Sequence, residues 1–100
     1  MALTKGGKTT DELIGLIGQW HHDRNLIDGA SDKDQLAKLI QEMGELSDNI
    51  CKQRDVADDI GDMIVVLINI AIRNNLSITE CLATASGILL TSLLTSLYQP

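Results

Sequence analysis

Aromatic residues and proline are nearly missing from this chain: there is no phenylalanine, one tryptophan, one tyrosine, and a single proline that is the last residue, Pro100. Strands favour aromatic and β-branched residues, so a chain this poor in aromatics and rich in Leu and Ile reads as all-helical. Basic residues are also scarce, eight against fourteen acidic ones, for a formal charge of −6. That balance excludes nonspecific binding to a nucleic acid polymer or to an anionic membrane. An acidic protein that handles a polyanionic substrate needs metal ions to bridge the like charges. Cys51 and Cys81 form neither a CxxC pair nor a disulfide framework, and are expected to be reduced thiols in a cytoplasmic protein. Residues 1–8 lack the apolar core of a signal peptide. The apolar run Met63 to Ile72 is ten residues long and carries Asn69, too short to span a bilayer. It reads as a buried helix.

One hundred residues make one domain, small enough for association to help its stability. Residues 1–8 are expected to be disordered, and residues 9–100 to form a single helical domain. Thr9 and Glu12 have capping-box spacing, and the helix they open places Leu13, Ile14, Leu16, Ile17 and Trp20 on an apolar face that ends near Arg24. Asn25 to Ala30 reads as a loop. Ser31-Asp32-Lys33-Asp34 is a second start signal. Leu36, Leu39, Ile40, Met43, Leu46 and Ile50 then recur every three or four residues, so a second helix runs to about Cys51. Lys52 to Asp55 connects it to a third helix, roughly 55–74, apolar nearly all round. Asn74 to Ser77 stops that helix, and Ser77 with Glu80 opens a fourth that runs towards Leu97. Short connections between amphipathic helices predict an antiparallel four-helix bundle. The apolar third helix and the uncharged end of the fourth predict a homo-oligomer, a dimer or a dimer of dimers.

The chemistry lies in two acidic pairs, Glu42-Met43-Gly44-Glu45 and Asp59-Ile60-Gly61-Asp62. Residues three apart in a helix lie about 60° apart around its axis, so each pair points two carboxylates the same way. Packing the two helices together brings up to four carboxylates face to face beside an apolar core. Four uncompensated charges there would repel or take up protons, whereas a hard divalent cation accepts such oxygen ligands. Acidic pairs are ordinarily just a solvated helix face. Here each pair also holds a glycine before its second acid, and glycine inside a helix costs about 1 kcal/mol relative to alanine. That penalty, met twice, points to close helix approach or to room for a ligand.

The stretch Lys38 to Leu46, followed by Asp59 to Leu67, resembles the MazG-like family of all-α nucleoside triphosphate pyrophosphohydrolases, which carry ExxE, a variable spacer and ExxD. The resemblance covers about residues 13–85. It implies hydrolysis of a nucleoside triphosphate to the monophosphate and pyrophosphate, dependent on Mg²⁺ with Mn²⁺ as a substitute, and it implies that Glu42, Glu45, Asp59 and Asp62 hold the metal and carry catalysis. Asp59 stands where the family often has Glu, and the adjacent Asp58 is the alternative ligand. Related sequences tend to end the fourth helix with basic residues, whereas Ser86 to Leu97 carries no charge.

Four further residues are candidate substrate contacts. Lys38 lies one turn before Glu42 and can neutralise a phosphate or pair with Glu42. Asn69, two turns beyond Asp62, can bind sugar or base or satisfy a backbone group. Trp20 can stack on a base or fill the core, and His21, like His22, can meet substrate, join a metal site or sit at a solvated helix end. Two other functions compete with hydrolysis. A non-catalytic helical interaction module would leave the acids solvated, and a di-iron carboxylate bundle would need Glu-x-x-His motifs, for which no histidine is suitably placed.

Overall fold

The computed structural model describes residues 6–97, and its four helices are α1 (Thr10–Asp23), α2 (Asp32–Cys51), α3 (Ala57–Arg73) and α4 (Ile78–Leu97). The expected disorder of residues 1–8 therefore falls mostly outside the described residues. The all-helical reading holds, and the helix boundaries lie within about two residues of those expected from the sequence.

Side chains at the helix starts explain those boundaries. Thr9 Oγ1 accepts from the Glu12 amide at 3.1 Å and also donates to the Glu12 carboxylate. Ser31 and Asp34 form a reciprocal capping box, each side chain accepting from the other's amide at 3.1 and 3.2 Å. Ser77 Oγ accepts from the Glu80 amide at 3.0 Å. Ahead of α3, Asp55 Oδ1 accepts from the Ala57 amide at 3.0 Å, which turns the chain two residues later than expected.

The first three helix ends share one geometry. Asn25, Gln53 and Asn75 each adopt the left-handed conformation, with φ of 54°, 56° and 58°. The amide one residue further on reaches back five residues: Leu26 to His21 O, Arg54 to Asn49 O and Leu76 to Ala71 O, at 2.8–2.9 Å. These are Schellman caps. Asparagine tolerates that conformation; Gln53 adopts it without asparagine's advantage.

Helix α3 is the hub. It packs against α1, α2 and α4, and no other two helices come together. It holds most of the small apolar core, Val66, Ile68 and Ala71, to which the loop adds Ile27. Arg73 locks the far end, donating Nε to Asp32 Oδ1 at 2.9 Å and Nη1 to the Ile27 carbonyl. Asp32 is held below its ordinary carboxylate range by the hydrogen bonds from Arg73 and Asn74. Helix α4 stays outside this three-helix arrangement. None of its residues is buried, and it meets α3 beside its first turns. It is long and apolar enough to cross a membrane, by length and composition alone.

Candidate metal centre

The antiparallel α2–α3 pair determines what the acids face. The inward seam of α2 runs Gln35, Leu39, Glu42, Leu46 and Asn49, and that of α3 runs Asp59, Asp62, Val66 and Asn69. Both seams mix acids with aliphatic side chains. Carboxylates are therefore drawn into the contact along with the core. Ligand oxygens of Glu42, Glu45 and Asp62 lie within 4.8 Å of one another, from two helices.

Burial of one member sets this cluster apart from a wholly solvated acidic face, although Glu45 is exposed and Asp62 half-buried. Glu42 is only 6 % exposed. One of its oxygens accepts from Lys38 Nζ at 3.1 Å, and the other, Oε2, is buried without a hydrogen-bond partner. A buried carboxylate oxygen with nothing to accept from is costly. The neighbouring Glu42 carboxylate raises the Glu45 pKa above its ordinary value. Asp62 is raised by desolvation and then by Asp58, Glu42 and Asp59. All three carboxylates are oxygen donors suited to a hard cation, and the unpartnered Glu42 oxygen gives such an ion a position to fill.

Asp59 stands beside this trio. It is buried, and its Oδ2 accepts from Asn49 Nδ2 at 2.7 Å. Asp58 is exposed, so of the two candidates Asp59 is the one turned towards α2. Sequence reading passed over Asn49, although the signal was there: it lies four residues after Glu45 and seven after Glu42, on the same helix face.

The close helix approach expected at Gly44 and Gly61 is not found there. A Cβ placed on Gly44 or Gly61 meets nothing within 4 Å, so neither marks a close helix approach. The close approach is at Gly18, where a Cβ would lie 3.2 Å from Ile72 Cδ1. Gly18 sits in α1, where no acid drew notice to it.

His21 and Asn69 occupy the interior. Asn69 is 0 % exposed and donates Nδ2 to the Leu26 carbonyl at 3.0 Å and to His21 Nδ1 at 3.2 Å. His21 Nε2 lies 2.9 Å from the Val65 carbonyl. A carbonyl only accepts, so the imidazole proton is on Nε2 and Nδ1 is the acceptor for Asn69. Together they tie α1 and its following loop to α3. Neither lies where a nucleotide in solution would meet it, and the solvated helix end expected for His21 is corrected.

Trp20 is half exposed and lines an apolar hollow of about 360 Å³ with Leu13, Leu16, Ile17 and Val65. Val65 is one turn beyond Asp62, so the hollow adjoins the acids. Arg24 stacks over the indole, 4.4 Å from its centroid. Arg24 lies one turn beyond Trp20, and that spacing is the sequence signal for the contact.

No protein-family model matches the chain, and no solved structure matches it. It is similar to an uncharacterized 18.2 kDa protein in the rep-hol intergenic region of Haemophilus phage HP1 (strain HP1c1), with 37 % identity over 67 residues. The match takes in 65 % of this chain but 41 % of that protein. The chain thus spans about two fifths of the length of the curated relative it matches.

Proposed function

We propose that this protein is a Mg²⁺-dependent nucleoside triphosphate pyrophosphohydrolase, releasing a nucleoside monophosphate and pyrophosphate to clean or control the nucleotide pool. The observation that carries this reading is the convergence of Glu42, Glu45 and Asp62, with one Glu42 oxygen buried and unpartnered. The resemblance of the two acidic motifs to MazG-like enzymes supplies the reaction. A di-iron bundle is less well supported, because the cluster contains no histidine. An interaction module is less well supported, because it would leave the acids solvated whereas Glu42 is buried.

In this reading Glu42, Glu45 and Asp62 hold the metal, with Mn²⁺ able to replace Mg²⁺, and Asp59 stands by as a further ligand or general base, kept in position by Asn49. A divalent ion held there supplies Lewis-acid polarisation of the phosphates and lowers the pKa of water. Lys38, paired with Glu42, meets a phosphate oxygen. The Trp20 hollow receives the base, and Asn69 and His21 hold that wall in place from behind.

A panel of ribo- and deoxynucleoside triphosphates, assayed for pyrophosphate with Mg²⁺ present, tests the proposal. Monophosphate and pyrophosphate are the expected products. Release of inorganic phosphate and a diphosphate would overturn the pyrophosphohydrolase reading, and no turnover of any triphosphate would overturn the enzyme reading.

A further inference from the structure

Helix α4 differs in kind from the other three. None of its 20 residues is buried, and beyond Glu80 it carries no charged residue as far as Leu97. At 1.5 Å per residue it is about 30 Å long, the thickness of the hydrocarbon core of a bilayer. Its apolar side chains are not confined to one stripe. At 100° per residue, the arc from Ile88 through Leu82 and Leu93 to Leu94 takes up about 240° of the circumference. These four residues are 53–64 % exposed. A helix packed on a protein surface requires an apolar stripe of only about 100°. An arc this wide calls for a medium that surrounds the helix.

The remaining arc holds Thr84, Gly87, Thr91 and Thr95, and there the hydroxyls turn back on the helix. Thr84 Oγ1 donates to the Glu80 carbonyl at 3.0 Å, and Thr91 Oγ1 donates to the Gly87 carbonyl at 2.9 Å. Within hydrocarbon every polar group has to be satisfied by the protein itself. Both hydroxyls meet that condition without water. In water the same bonds slightly weaken a helix.

The way α4 leaves the other helices suits the same medium. It meets α3 only beside its first turns, where an apolar hollow of about 610 Å³ opens at Ile64, Leu67, Ile70, Cys81 and Leu82. Ile64 and Leu67 lie about 160° and 140° around α3 from Asp62. The base of α4 is therefore set among apolar side chains, with the acids turned away. In sequence Tyr98 follows Leu97, and tyrosine is enriched where a membrane meets water. A net charge of −6 repels anionic headgroups, so the attraction is to hydrocarbon.

We infer that α4 spans a lipid bilayer and holds α1, α2 and α3 at its surface. A helix lying flat in the interface carries a strongly polar or charged face, which α4 lacks. A second copy of this chain is the competing cover, and the experiment separates the two. The acidic cluster faces away from α4, so this inference stands or falls separately from hydrolysis.

Reconstitution of the full chain into phosphatidylcholine vesicles, followed by flotation and extraction with alkaline carbonate, tests the inference. The chain is expected to float with the vesicles and to stay with them through extraction. Ile88→Arg, at the middle of α4, is expected to lower the ratio of bound to free protein by at least ~100-fold, as arginine at the centre of a membrane helix does. Ile40→Arg, on the exposed flank of α2, is expected to float as the parent does. Should Ile88→Arg fail to fold, flotation and extraction of the unaltered chain decide alone. A chain that stays in the aqueous fraction, as one copy or as a soluble oligomer, overturns the inference. So does release by carbonate, which would lay α4 flat on the surface. Flotation lost in Ile40→Arg and kept in Ile88→Arg overturns it as well, by assigning the lipid contact to α2.

Discussion

The two sides of the α2–α3 pair differ in what they lack. One side gathers Glu42, Glu45 and Asp62 and is short of positive charge, with Lys38 paired to Glu42. The other is a run of aliphatic side chains short of cover, from Leu36 and Ile40 to Ile60 and Ile64. Each helix builds both sides from one sequence by spacing alone. Acids three apart take one flank, and aliphatics three or four apart take the neighbouring one. The two shortfalls call for different remedies, a small hard cation on the first side and a large apolar surface on the second. Changes on one side should therefore leave the other side's behaviour intact.

The largest effect is expected from Glu42→Gln. It removes the most buried carboxylate of the trio at almost no change in volume. Pyrophosphate release should fall by more than ~100-fold, beyond the 10–100-fold typical for loss of an outer-shell partner. Without metal the variant should melt higher than the parent, because a buried charge with an unpartnered oxygen becomes a neutral amide. Lower melting without metal would mean that the Glu42 charge is already satisfied, and the contrast between the two sides would fail. Asn49→Ala should cost about 10–100-fold in turnover, because Asn49 only positions Asp59. Full activity in Asn49→Ala would remove Asp59 from the site.

Metal comes next. At a Mg²⁺ concentration 100 times its dissociation constant, binding to the folded form alone adds about 2.7 kcal/mol. For a domain of this size that amounts to a rise in melting temperature of roughly 10–20 °C at about 4–8 °C per kcal/mol. Glu42→Gln should lose this rise, and Ile64→Glu should keep it. Calorimetric scans with and without Mg²⁺ measure both, and an unchanged curve for the parent would make the acids a surface face.

Much of this division was legible in the residues, for physical reasons that also explain the gaps. Caps such as Ser31 with Asp34 are local, so the sequence carries them whole. The acidic pairs were legible because helix spacing fixes their direction before any packing. Their depth was not, since burial of Glu42 depends on how α3 lies across α2. The solvated helix end expected for His21 failed for the same reason, and the choice between the two roles open to Asn69 waited on it too. A polar residue in an apolar run reads equally as a ligand or as a tie, and only the Leu26 carbonyl decides for the tie. Helix α4 was expected to close a bundle within one chain, yet it touches α3 only beside its first turns and leaves its own leucines exposed.

The acidic side should also answer to pH. Glu45 and Asp62 have folded-state pKa values raised above ordinary values of 4.5 and 3.8. The folded protein thus binds protons more tightly than the unfolded chain, so stability increases as pH falls through the raised values. Asp32 works in the opposite sense. Its lowered value adds stability that is present above 3.8 and lost as pH falls through the folded value. Metal-free protein should therefore melt higher in mildly acidic than in neutral buffer, and lose that gain once Asp32 protonates. Saturating Mg²⁺ should abolish the rise by holding the carboxylates ionised. A metal-free melting temperature that is flat between neutral and mildly acidic buffer would show that the trio is too well hydrated to repel.

The smallest expected effect is at Gly44, between the two acids of α2. A Cβ there meets nothing within 4 Å, and the position faces away from α3. Gly44→Ala should stabilise the helix by about 1 kcal/mol through reduced freedom of the unfolded chain. Turnover should not change, because Gly44 projects between the acidic flank and the apolar flank. Gly61→Ala makes the informative companion. It has the same open surroundings but lies on the α1 side of α3, next to Asp62. If a nucleotide uses that space, Gly61→Ala should gain similar stability and lose turnover through a higher KM. Equal behaviour of the two variants in turnover would move the substrate away from the α1–α3 junction.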